Sequence, residues 1–163
     1  MMLRTTICRA AALAMTGMAL AQSGGAAELP RRPVLTLEAA RGIAAAAEAK
    51  ALAEGWPCVI AVADQAGLPI LLVRMDDAAV TAGVELAPGK ARTAALFNRP
   101  SGALEDAING SRAAAATARG FVMMRGGLPI LAEGRVVGAI GISADTPQHD
   151  EQIAQAGLAA SGR

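Results

Sequence analysis

Residues 125–143 read RGGLPILAEGRVVGAIGIS, and this stretch decides the fold. Residues 128–132 make one apolar arm, Glu133-Gly134 supplies a turn, and residues 135–143 return as the second arm of a β-hairpin. Val136, Val137, Ile140 and Ile142 put β-branched side chains in the return arm, where they pack well on a pleated surface. Gly138 and Gly141 weaken a strand unless a bulge, a close helix or a ligand needs the room.

A second hairpin lies upstream. Residues 58–63 (CVIAVA) form a strand, Asp64-Gln65-Ala66-Gly67 turns the chain, and residues 68–74 (LPILLVR) return. So short a loop requires antiparallel pairing. The pentapeptide Gly-Leu-Pro-Ile-Leu occurs at 67–71 and again at 127–131, which reads as repeated chemistry for entering a strand rather than as a duplicated domain. Residues 121–124 predict a fifth strand.

Helical signals occupy the remainder. Thr36 can cap a helix running to about Glu54, with Leu37, Ala40, Ile43 or Ala44, Ala47 and Ala51 on one face. Gly55 and Pro57 stop it. A second helical region begins after Asp77, is divided or distorted by Pro88-Gly89, and is clearest over 90–97. Ser101 can cap a short helix over 102–108, and residues 111–119 fit helix or loop. Thr146-Pro147 opens a last helix with Ile153, Ala156 and Ala160 on one face. Five strands in antiparallel hairpins with about four flanking helices predict an α+β layer fold.

The 163 residues suit one domain with a real core. The first 21 have the pattern of a secretory signal peptide. Arg4 and Arg9 are basic, residues 10–20 are largely apolar, and Ala19-Leu20-Ala21 fits a cleavage site before Gln22. The expected organisation is a signal peptide over 1–21, a flexible Gly/Ala/Pro-rich arm over 22–34 and one domain over 35–163. The expected location is the periplasm or the exterior, with no membrane span. Losing Arg4 and Arg9 takes the 15 basic residues to 13 against 14 acidic ones, which argues against nucleic-acid binding by bulk charge. Cys58 is then the only cysteine, so no intrachain disulfide forms. It reads as a buried small hydrophobe, with a catalytic thiol as the alternative.

Four stretches carry a family resemblance: VIAVADQAGLPILLVRMDDA at 59–78, GKARTAALFNRPS at 89–101, GGLPILAEGRVVGAIGIS at 126–143 and DEQIAQAGLAA at 150–160. In order and spacing the chain resembles the GlcG/HbpS-type haem-binding family, also called haem-degrading proteins. The resemblance implies a profilin-like α-β-α domain around a five-stranded antiparallel sheet, homo-oligomers and a haem-related role for some members. Related domains bind a corrinoid instead. The chain departs from the family pattern at Ala144, where glycine is common after the serine, and at His149, where a non-histidine polar residue is common.

Candidate ligand-binding residues cluster in two places. Lys90, Thr93 and Phe97 fall at spacings of three and four, so one helical face can offer a cation, a hydroxyl and an aromatic ring. Arg92 and Arg99 add positive charge, and the set suits a planar anionic ligand such as a haem propionate edge. The plainer reading is a solvated helix surface with Phe97 in the core. His149 is the sole histidine and the candidate iron ligand, beside Asp145, Asp150 and Glu151. Met123 and Met124 offer thioethers, although packing is the plainer reading. Asp64, Asp76 and Asp77 suit turns, acid/base chemistry or a hard cation, and Arg74 and Arg125 could hold a carboxylate. The phosphate-loop, dinucleotide, HExxH, CxxCH and GxSxG motifs are missing, so any haem is noncovalent. Three functions fit: an extracytoplasmic haem-binding protein for storage, uptake or sensing; a small-molecule enzyme acting on an organic acid or ring compound; or a non-catalytic oligomeric accessory protein.

Overall fold

A computed structural model describes residues 28–160. The expected leader and its cleavage site lie outside the described residues. Residues 28–31 carry no regular secondary structure and are exposed. From Arg32 onward the order is α1 (Leu37–Glu54), β1 (Val59–Asp64), β2 (Pro69–Arg74), α2 (Gly83–Phe97), α3 (Ser101–Asn109), a 3-10 turn (Ala113–Thr117), β3 (Gly127–Ala132), β4 (Arg135–Ser143) and α4 (Pro147–Ala159). The strands form one antiparallel sheet in the order β2-β1-β4-β3. The two hairpins are its outer halves. They meet at the centre, where Val59 pairs with Ser143 and Asp64 with Gly138.

The fold is α+β in helix-sheet-helix layers, but the sheet has four strands among the described residues, not five. The expected strand over 121–124 is the correction. Its Val122 N–H donates to Thr93 Oγ1 at 3.0 Å, and the segment lies against α2 at Gly89, where a Cβ would collide with the Val122 side chain. Its apolar residues are satisfied by a helix instead of a neighbouring strand, a tertiary outcome that strand propensity does not register.

Alternation along β1 divides the core. Ile60 and Val62 join Ile140, Ile142, Leu128 and Ile130 beneath α1 and α4, through Ile43, Ala47 and Ile153. Val59, Ala61 and Ala63 face the other way with Ala139, onto Ala87, Ala91, Ala94 and Ala95 of α2. A register shift between Ile130 and Leu131 leaves Val137 unpaired in β4, so Val137 and Ile140 both face the α1/α4 side. Gly141 supplies the close approach suggested by the sequence. It pairs with Gly127, and a Cβ on either would collide with the α2 backbone, at Ala87 O and Lys90 O respectively. α2 therefore lies directly on the strands.

Local signals set the helix ends. Thr36 Oγ1 accepts from Ala39 N at 3.2 Å, and Gly55 closes α1 at φ 71°. α2 runs through Pro88-Gly89 without being divided. The carbonyl left without its usual partner belongs to exposed Val84, on the side away from the sheet. Asn98 ends α2 at φ 53°. Thr146 Oγ1 accepts from His149 N at 3.2 Å, with Pro147 in the first turn of α4.

Candidate functional site

The chemistry-bearing residues gather where β4 ends and α4 begins. Lys90 leaves α2, passes the end of the sheet and reaches α4. Its Nζ donates to Asp150 Oδ2 at 2.5 Å and to the Ile142 carbonyl at 3.0 Å, and the side chain is 2% exposed. Asp150 Oδ1 accepts from Ala144 N at 2.5 Å. Burial pushes the Asp150 carboxyl above the ordinary aspartate range, against the opposing pull of Lys90. Gly126, at φ 110°, makes room for this carboxylate, since a Cβ there would stand 2.6 Å from Asp150 Cβ. Ser101 completes the junction by donating to Met124 O at 2.5 Å and accepting from Gly127 N at 2.8 Å. Arg125 lies above it, its guanidinium bridging Glu151 at 3.1 Å and Asp106 at 2.7 Å. A small cavity of about 180 Å³ reaches Lys90, Glu105, Arg125 and Asp150.

His149 is one residue from Asp150 and faces outward. Its Nδ1 lies 2.7 Å from Asp145 Oδ1, and its ring stacks on Trp56 with centroids 3.6 Å apart and planes 8° from parallel. Trp56 is anchored just after α1 by a backbone bond from its N–H to Ala51 O, and Lys50 Nζ is 5.7 Å from its ring centre. The hydrogen bond to His149 holds the Asp145 carboxyl below its ordinary range. With Nδ1–H donated to the carboxylate, Nε2 carries the lone pair, the tautomer a metal ligand needs. The described residues contain no cluster of three or more His, Cys, Asp or Glu placed to hold a bare metal ion.

The structure separates the other expected site residues. Lys90 reaches the small cavity with its Nζ engaged by Asp150, while Thr93 Oγ1 donates to Gly89 O at 2.8 Å and accepts from Val122 N. Phe97 meets Phe121 edge to face at 5.0 Å, and the Arg92 guanidinium stands 5.8 Å from the Phe121 ring centre. Arg99 is exposed beyond the end of α2. None of these touches His149. Met123 and Met124 line an apolar cleft of about 340 Å³ with Leu86, Ile108 and Phe121. Asp64 is a turn residue, accepting from Ala66 N at 2.8 Å and Leu68 N at 2.9 Å. Burial pushes the Cys58 thiol up to about 12, so it is an inert core residue beside Met75. Trp56 and the Lys90–Asp150 pairing were missed. The signal for the pairing was the Gly126-Gly127 step, two residues with no side chain facing a polar helix start.

The model of the haem-degrading HbpS-like family matches residues 35–159. The chain belongs to this family. Within it, Protein GlcG of Escherichia coli K12 is 38% identical over 110 residues, covering 68% of this chain and 81% of that protein. A double mutant of Streptomyces reticuli HbpS superposes with a TM-score of 0.77 at 33% identity, covering 85% and 96% of the two chains. The PduOC domain, solved as a haem complex, gives 0.72 at 28% identity, covering 78% and 95%. The HbpS-like match spans the whole sheet and all four α-helices.

Proposed function

We propose that this protein binds haem noncovalently and that His149 supplies the iron ligand. The carrying observation is the Asp145–His149–Trp56 arrangement: a carboxylate fixes Nδ1, an indole fixes the ring plane, and Nε2 has no protein partner among the described residues. A haem brings four nitrogen donors of its own, so one well-oriented imidazole suffices where a bare ion needs several protein ligands. Bound there, haem would supply iron redox and ligand-exchange chemistry. The protein's part is to orient the imidazole and to raise its basicity through Asp145. The family match and the haem complex of a relative support the reading.

The same proposal places the mature protein outside the cytoplasm, after cleavage behind Ala21, in haem storage, uptake or sensing. It also makes the working form a homo-oligomer. Leu68 and Leu72 on the outer hairpin are 58% and 46% exposed, apolar surface suited to a second copy. Intact mass of exported protein tests the cleavage, and light scattering tests the assembly. Retention of residues 1–21 in the exported form, or a monomer at all concentrations, would remove those two elements.

A haem titration of wild type, His149→Ala and Asp145→Asn tests the ligand. Wild type should show saturable binding with a shifted Soret band. His149→Ala should lose the shift, and Asp145→Asn should keep it with weaker binding by about tenfold or more. An unchanged spectrum in His149→Ala would discard the iron ligand, and no saturable binding by wild type would discard haem.

A further inference from the structure

The opposite end of the sheet, where both hairpins turn, holds a cleft of about 730 Å³. Arg32, ahead of α1, and Arg135, opening β4, both line it. Neither guanidinium has an ion-pair or hydrogen-bond partner among the described residues. No carboxylate is among the residues lining the cleft. Asp64 is held by its own turn amides, and Glu133, although it precedes Gly134 in the hairpin turn, does not line the cleft. Gln65 and Asn98 also line it, and Leu131 and Val136 contribute apolar lining. Asn98 is brought here by its left-handed cap at the end of α2, and Arg135 by the Glu133-Gly134 turn with both residues at positive φ.

Two unpaired guanidiniums on one concave surface repel each other until an anion intervenes, and each offers a forked set of donors matched to a carboxylate. The volume falls in the usual range for small-molecule sites, and the apolar part of the lining can carry a hydrocarbon body. We propose that this cleft binds an organic dianion: two carboxylates, one for each arginine, joined by a compact apolar or aromatic body. Arg32 and Arg135 are the anchors, Gln65 and Asn98 set orientation, and Leu131 and Val136 bear the body. The cleft is at the far end of the strands from His149, so the proposal stands independently of the iron ligand. A haem held by His149 lies at the other end of the strands, so the ligand of this cleft is a free dicarboxylate.

The experiment is calorimetric titration of the full-length mature protein with phthalate, and with benzoate as the single-carboxylate control. The proteins are wild type, Arg32→Gln, Arg135→Gln and the double variant. Wild type should bind phthalate saturably and more tightly than benzoate. Each single variant should weaken phthalate by about tenfold, and the double variant should abolish the preference over benzoate. Because both arginines are exposed, thermal unfolding should be unchanged, so lost binding cannot be charged to lost folding. Absence of phthalate binding, or equal binding by wild type and double variant, overturns the proposal. Haem and phthalate should bind simultaneously, and displacement of haem by phthalate would overturn the proposal of a separate dicarboxylate cleft. His149→Ala should leave phthalate binding intact, which keeps failure of the haem reading distinct from failure of this one.

Discussion

The two faces of the sheet are built on opposite principles. Beneath α1 and α4 the contact is made by volume: Ile43, Ile60, Ile140, Ile142 and Ile153 are each no more than 1% exposed. Beneath α2 the contact is made by the absence of volume. Alanines of the helix meet alanines of β1 and β4, and Gly127 and Gly141 let helix backbone touch strand backbone. The first face tolerates no loss of atoms and the second no gain. Lys90 links the two, starting on the α2 face and ending on α4.

Two changes would break or sharpen this contrast. Gly141→Ala adds a single methyl where the Ala87 carbonyl and the Ala91 amide already stand, and both neighbours are backbone. It should cost about 3 kcal/mol or more, because overpacking against a rigid neighbour forces a helix to move. Urea unfolding measures it, and a cost below that of a typical surface substitution would refute direct backbone contact. Ile60→Val removes one methylene from the other face and should cost about 1 kcal/mol by the same assay. A similar cost for Gly141→Ala and Ile60→Val would erase the contrast.

The smallest effect should come from the exposed dyad, which belongs to neither face. The Asp145 carboxyl titrates below its unfolded value because of His149. Its contribution is therefore present above the ordinary aspartate range and is lost as pH falls through the lowered folded value. Asp145→Asn should remove a fraction of the acid-side slope of stability, well under the effect of either core change. A variant with the wild-type pH profile would mean that the dyad contributes nothing to folding.

Much of this was legible in the residues. Both hairpins, the Thr36 and Thr146 caps and the aliphatic face of α1 follow from local patterns that need only their own neighbours. The glycines of β4 pointed to a close approach, but not to which helix makes it. The errors share one cause. Residues 121–124 read as a strand, and the partners of Lys90 and Thr93 went unseen, because each segment alone shows only its own character. Contacts between α2 and residues far along the chain decided otherwise. Trp56 stacks on a histidine that only the folded topology brings to it.

The central pairing of β1 with β4 has a kinetic consequence. Each hairpin can close locally through a short turn, but the middle of the sheet joins Val59 to Ser143 across nearly the whole intervening chain. Closing that loop costs entropy before the packing beneath α1 and α4 can repay it. α2 lies within the loop and finds its seat on Gly127 and Gly141 only once β3 and β4 are paired. The slow event in folding is thus the meeting of two preformed hairpins, with docking of α2 as the step that locks it.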